Sequence, residues 1–145
     1  MKILMSACLL GEKCTYKGTA NPIPDLSDRS TFVPCCPEVM GGLAIPRKPA
    51  EIVGDRVVTE DGTDVTEAYL EGARRSVEIA KREGVAFAVM KSKSPSCGKG
   101  KIYDGTFSHT LIPGDGITVR ALREAGIEVL TEEEYRERSH HDDYK

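Results

Sequence analysis

Five cysteines are the residues best suited to chemistry in this chain: Cys8, Cys14, Cys35, Cys36 and Cys97. An odd number leaves one thiol over in any disulfide framework. Residues 1–20 do not read as a signal peptide, because the apolar stretch is short and runs straight into polar sequence. No apolar run approaches the ~18–20 residues that span a bilayer. A cytoplasmic protein with reduced thiols is therefore expected, and clustered cysteines in that setting point to metal binding or catalysis rather than cross-linking. Spacing narrows the choice. There is no C-x-x-C, as zinc ribbons and thioredoxin-like proteins have, and no ferredoxin-type run. Histidine is scarce, with His109 in the body and His140 and His141 near the end, so a mixed Cys/His zinc site is poorly supplied.

Three of the cysteines stand before a turn or a helix start, in Cys8-Leu-Leu-Gly11, Cys36-Pro37-Glu38 and Cys97-Gly98. Unpaired backbone N–H groups at such places stabilise a thiolate, the form that binds iron. Cys14 and Cys35 read equally well as small buried apolar residues. Glu38 is the carboxylate nearest these sites. It suits the first turn of a helix and also general acid–base work beside a metal. Ser94 and Ser96 flank Pro95 just before Cys97. They fit ordinary turn chemistry, or a hydroxyl that orients water or substrate. Lys91, Lys93, Lys99 and Lys101 fall in one eleven-residue segment without an acid. With Gly98 and Gly100 allowing close backbone approach, that segment suits an anionic substrate group such as a nucleotide phosphate.

Elements must bring these residues together. Residues 2–5 and 31–35 read as short strands, 17–30 and 41–50 as loops. Residues 51–53 and 56–59 flank a Gly54-Asp55 turn and predict a small hairpin. Residues 66–81 predict an amphipathic helix stopped by Gly84, with Asp64 or Thr66 as its cap. The continuous apolar run 85–90 predicts a strand buried on both faces. Asp104-Gly105 marks a turn, 117–125 a short helix, and 127–130 a last strand. Thr131 followed by three glutamates predicts a capped final helix. Alternating strands and helices imply an α/β fold: one Rossmann-like domain over residues 1–138 with a mainly parallel sheet, long loops and a hairpin insertion. Residues 139–145 read as a flexible tail. Cys8, Cys36 and Cys97 each follow a predicted strand, and ligands in open α/β sheets collect outside the carboxyl ends of the strands.

With 145 residues, the chain fits one compact domain. Hydrophobic residues at 39% and charged residues at 30% exclude wholesale disorder. Residues 131–145 hold six acids and three bases, which is the whole net charge of −3. The rest is balanced, which argues against a nucleic-acid-coating protein.

Ser6-Ala-Cys-Leu-Leu-Gly11, Cys36-Pro-Glu-Val-Met-Gly-Gly42, Pro46-Arg-Lys-Pro-Ala-Glu51, Ser94-Pro-Ser-Cys-Gly98, Ile102-Tyr-Asp-Gly-Thr-Phe107 and Gly114-Asp-Gly-Ile-Thr118 together resemble the thiouracil desulfidase (TudS-type) family, formerly a domain of unknown function. The similarity runs over about residues 2–135. The resemblance implies a [4Fe-4S] cluster held by Cys8, Cys36 and Cys97, with one iron left open as a Lewis acid for a thiocarbonyl sulfur. It implies Glu38 as acid–base residue and a catalytic serine in Ser94-Pro-Ser-Cys97, for which Ser94 is favoured over Ser96. The reaction implied is non-redox hydrolysis of thiouracil or 4-thio-UMP to uracil or UMP and hydrogen sulfide. Substrate contacts are expected from Ser96, Lys93, Lys99 and Lys101. Some relatives carry a further C-terminal domain and act on thiolated tRNA. The length of this chain favours a free thiolated pyrimidine base or nucleotide, with no stable nucleic-acid partner, no membrane and a cytoplasmic location. Competing readings are a sulfurtransferase, for which no G-x-x-x-x-G-K-[ST] motif is present, and a non-catalytic iron–sulfur or zinc sensor.

Overall fold

Apolar residues at consecutive positions can only be satisfied where both faces of a strand are covered. Residues 3–6 and 87–90 are of this kind, and both segments are buried throughout. They form the centre of a four-stranded parallel sheet in the computed structural model, which describes residues 1–23 and 31–142. In chain order, β1 (Ile3–Ser6) leads into a single 3-10 turn, and β2 (Phe32–Cys35) into the one-turn helix α1 (Pro37–Met40). The hairpin β3 (Ala50–Val53) and β4 (Arg56–Thr59) precedes α2 (Thr66–Glu83) and β5 (Phe87–Met90). A second hairpin, β6 (Lys101–Tyr103) and β7 (Leu111–Pro113), is followed by α3 (Ile117–Glu124), β8 (Val129–Thr131) and α4 (Glu132–Asp142). The sheet order is β2-β1-β5-β8.

Strand alternation divides the core in two. Ile3, Met5, Phe87, Val89 and Leu130 face one side, where Tyr135 of α4 sets its ring against Phe32 and Phe87 at centroid distances of 6.2 Å. Leu4, Ala88, Met90 and Val129 face the other, under Ala80 of α2 and Val119 and Leu122 of α3. A third, smaller cluster of Ile52, Val57, Tyr69 and Ile102 holds both hairpins to the start of α2.

The α/β class, the parallel sheet, the long helix and the first hairpin agree with expectation. Gly84 ends α2 at φ +62° as its stop signal required. The capping position of α2 is Val65, without a side-chain cap, rather than the expected Asp64 or Thr66; Asp64 stands just ahead of it and accepts the Thr66 backbone N–H at 2.9 Å. Thr131 and Glu134 form the expected reciprocal capping box, at 3.1 and 2.9 Å. The hairpin β6–β7 was not expected. Its strands have three residues each, and one contains Pro113, so neither carries a readable alternation. Residues 24–30 of the loop predicted over 17–30 lie outside the described residues, as do 143–145 of the predicted tail, while the α4 backbone runs to Asp142.

One close approach sets the position of α1. Gly41 lies against the Ala68 carbonyl, and Gly72 against the Pro37 carbonyl, so a β-carbon at either would enter the neighbouring backbone. Gly72→Ala is therefore expected to cost ~2–3 kcal/mol by overpacking. Gly84→Ala, with open space around it but a left-handed φ, is expected to cost ~1–2 kcal/mol. Urea unfolding of the two variants checks this, and a smaller loss for Gly72→Ala would show that α1 is free to move.

Candidate active site

Parallel pairing brings the ends of β1, β2 and β5 to one edge, with Ser6 opposite Cys35 and Met5 opposite Val89. The residues just beyond those ends line a cavity of about 380 Å³. Cys8 enters it from the 3-10 turn, Cys36 from the residue capping α1, and Cys97 from the loop after β5. Cys14 and Cys35 line it as well. The sequence expectation that three distant cysteines meet at one sheet edge holds as geometry.

The thiols are not alike. Hydrogen bonding from the Cys14 thiol is the largest influence on both Cys36 and Cys8, and it lowers both. Cys36 comes down to about 7, helped by the Val39 backbone N–H in the first turn of α1. Cys14 is raised by the same two bonds. Burial pushes Cys97 up, with Glu38 adding to the effect, and pushes Cys35 up to about 12. Cys35 turns to α2, where its Sγ lies 3.1 Å from Ser76 Oγ. Among the described residues, no group of three His, Cys, Asp or Glu side chains is placed to hold a single metal ion. Thiols distributed round a shared cavity are instead the soft donor set that iron–sulfur clusters take.

Beside the thiols stands a polar chain. Ser94 Oγ accepts the backbone N–H groups of Ser96 and Cys97, each at 3.0 Å, and donates to Glu38 Oε1 at 3.3 Å. Arg47 donates to Glu38 Oε2 through Nε at 3.1 Å and Nη2 at 2.7 Å. Tyr69 lines the same wall, its hydroxyl raised by burial and by the neighbouring Glu38. This arrangement links a carboxylate, a hydroxyl and the Cys97 loop in one connected unit, which is what acid–base chemistry on a bound water needs.

The remaining expected residues separate. Lys93 lines the cavity, exposed, at φ +70°. Ser96 is fully buried and turned to α3, its Oγ 2.7 Å from Thr118 Oγ1, and its carbonyl takes the Thr118 N–H. Lys99 pairs with Glu134 at 2.9 Å, and Lys101 lies on β6, so neither lines the cavity. Arg47, Tyr69, Tyr103 and His109 line it without having been singled out for chemistry. Tyr103 and His109 stack edge to face at 5.8 Å across the second hairpin. The loop joining β6 to β7 is braced by the buried carboxylate of Glu51, which accepts the Gly105 and Phe107 N–H groups at 2.9 and 3.2 Å.

Fold and cavity together define an α/β protein whose strand ends assemble a thiol-rich site with a hydrogen-bonded Ser94–Glu38–Arg47 chain beside it. Residues 3–134 match the family described as 2-thiouracil desulfurase, and the chain belongs to that family. It is 42% identical to the uncharacterized protein YbbK of Bacillus subtilis (strain 168), over 91% of this chain and 96% of that protein. Its structure is similar to one described as the [4Fe-4S]-dependent thiouracil desulfidase TudS, with a TM-score of 0.91, 40% identity and 99% of each chain covered. The resemblance carried by the motifs is thus the family itself, one of desulfidase enzymes.

The thiol environments are testable in the cluster-free, reduced protein. A lowered pKa makes thiolate available at lower pH. Alkylation of Cys36 by iodoacetamide should therefore rise through pH about 7, below the ~8.5 of a free thiol. Cys35, buried and raised, should be modified after Cys36. Mass spectrometry of the labelled peptides reads the order, and Cys35 reacting before Cys36 would contradict these environments.

Proposed function

We propose that this chain is a desulfidase of thiolated uracil. It hydrolyses thiouracil or 4-thio-UMP to uracil or UMP with release of hydrogen sulfide, using a [4Fe-4S] cluster held by Cys8, Cys36 and Cys97 with one iron open. The observation that carries this reading is the Ser94–Glu38 hydrogen bond in the same cavity wall as those three thiols. When bound, the cluster supplies a Lewis acid for the thiocarbonyl sulfur. Glu38 then acts as the base for a water placed with the help of Ser94 Oγ. That water adds to the thiocarbonyl carbon, a C–O bond replaces the C–S bond, and the two protons of the water leave with sulfur as hydrogen sulfide. Oxidation states do not change. Ser94 also holds the N–H of Cys97, so the hydroxyl and that thiol keep a fixed relation.

For an anionic substrate group, the support comes from Lys93 and Lys17, which line the same cavity. Lys99 is held by Glu134 on α4. The substrate is a small thiolated base or nucleotide rather than a polynucleotide, in keeping with the size of the cavity. A cytoplasmic setting suits free thiols. No helix among the described residues is long and apolar enough to cross a membrane.

The test is anaerobic reconstitution followed by hydrogen sulfide measurement with thiobases, thionucleosides and 4-thio-UMP. Sulfide release is expected, and a colourless protein that releases none would remove the proposal in favour of a sensor. Cys8→Ala, Cys36→Ala and Cys97→Ala should each lose iron, whereas Cys14→Ala and Cys35→Ala should retain it. Glu38→Gln should keep the cluster and lose roughly 10²–10⁴-fold in turnover, the usual contribution of a positioned acid–base group. Lys93→Ala should raise KM for 4-thio-UMP and leave KM for thiouracil unchanged, and an unchanged KM for 4-thio-UMP, or an equal rise for both substrates, would refute the phosphate contact.

A further inference from the structure

Arg47 belongs to the least regular part of the chain, between α1 and β3, yet its side chain is largely buried, at 10% exposed. Its backbone N–H is anchored to the Tyr16 carbonyl at 2.7 Å, on the segment that follows Cys14. Every side-chain contact it makes is directed. Nη1 donates to the Ala44 carbonyl at 3.2 Å, Nη2 to the Cys14 carbonyl at 3.0 Å, and Nε and Nη2 both donate to Glu38 Oε2. Glu38 is 15% exposed, and its other oxygen, Oε1, accepts from Ser94 Oγ. The two oxygens of one carboxylate are therefore inequivalent. Oε2 takes two N–H groups of one guanidinium and Oε1 takes the Ser94 hydroxyl, while the Tyr69 hydroxyl also hydrogen-bonds to the carboxylate.

We infer that Arg47 is a positioning residue for the desulfidation, occupying Glu38 Oε2 so that Oε1 is the oxygen that takes a proton from the attacking water and passes it to the departing sulfur. The inference rests on the desulfidase reading above. Its physical basis is the fork geometry of guanidinium, which fixes the rotation of the carboxylate plane as well as its position. A lysine at 47 provides a point charge and cannot engage Oε2 and the Cys14 carbonyl in the same fixed plane. Arg47 also ties Glu38 to the Cys14 segment, whose carbonyl receives a weak Cys36 Sγ–H contact at 3.8 Å. The acid–base group and the thiol loop are thereby kept in one frame.

The test uses the reconstituted full chain. Native protein is assayed first for hydrogen sulfide release, and failure there counts against the desulfidase reading alone. Given native activity, Arg47→Lys and Arg47→Met are expected to bind iron and sulfide at the native ratio. Their kcat should fall by about 100-fold, the cost typical of a small misplacement of a reacting group. KM should change far less, because Arg47 acts on the acid–base group rather than on substrate. In a Glu38→Gln background, Arg47→Met should lower kcat by no more than about twofold, since residues that act as one unit are not additive. Retained kcat in Arg47→Met, or an equal further loss in the Glu38→Gln background, would overturn the inference. Loss of iron in both Arg47 variants would also overturn it, by assigning Arg47 to the thiol loop instead of the carboxylate.

Discussion

The register of β1 governs where the chemistry of this molecule can stand. β1 pairs with β2 on one side and β5 on the other, both parallel, so the three strands end at the same height. The residues that follow are Cys8, Cys36 and the loop to Cys97. A slip of one residue would exchange the two faces of β1. Ile3 and Met5 would then leave the cluster that contains Phe87 and Val89, and Leu4 would leave Ala80 and Val119. Each fully buried side chain of this size is worth about 1.5–3 kcal/mol, so two differently shaped cores hold the register far more firmly than the short strands could. The convergence of thiols is a consequence of that packing. It does not depend on attraction between the thiols.

Their closeness in fact carries an electrostatic cost. Thiolates beside one another and beside Glu38 oppose each other's ionisation, and burial adds to this most strongly at Cys97. Cys14 eases the conflict on the other side of the cavity. Its hydrogen bonds favour thiolate at Cys8 and Cys36 while its own proton is held. The site therefore combines two thiols that readily give up protons with one that gives it up only when a compensating positive charge arrives. Metal binding to such a set is linked to proton release. Cys14 is better understood as a hydrogen-bonding partner of the Cys8 and Cys36 thiols than as a spare apolar residue.

The parts of this architecture that the sequence makes legible are those with a local signature. The apolar run before Met90 and the helical period through Ala80 each report burial directly, and the glutamates after Thr131 report a cap. Cys8, Cys36 and Cys97 are legible because a strand end in an α/β sheet is a predictable place. Arg47 is not, because a basic residue between Pro46 and Pro49 has no period, and its partner Glu38 is chosen by a loop path that exists only in three dimensions. The same limit explains Ser96. Its place next to Cys97 suggests a role in the cavity, but Gly116 and the first turn of α3 pack against this segment, the Gly98 carbonyl accepting the Gly116 N–H and the Pro95 and Ser96 carbonyls those of Ile117, Thr118 and Val119. Adjacency in sequence says nothing about the direction in which a side chain leaves a tight turn.

The charge distribution shows the same dependence on folding. Read along the chain, the acids after residue 131 are remote from the lysines of 91–101. In the fold, α4 returns along the sheet edge. Glu132 accepts the Ser92 N–H at 3.0 Å and lies 3.5 Å from Lys91, while Glu134 completes the cap of α4 and pairs with Lys99. Partly exposed pairs of this kind at the surface contribute about 1 kcal/mol or less each. Their larger effect is on the field, because two of the four lysines are matched before any ligand arrives. Of the lysines in that segment, Lys91 and Lys93 line the cavity, and Lys91 is the one of these two matched by Glu132. Lys48 and Lys17 line the cavity too, Lys48 held by Asp61 at 2.7 Å and Lys17 set over the Tyr16 ring. Folding rather than sequence order thus decides which lysines of residues 91–101 stand at the cavity and which of them are already matched by a carboxylate.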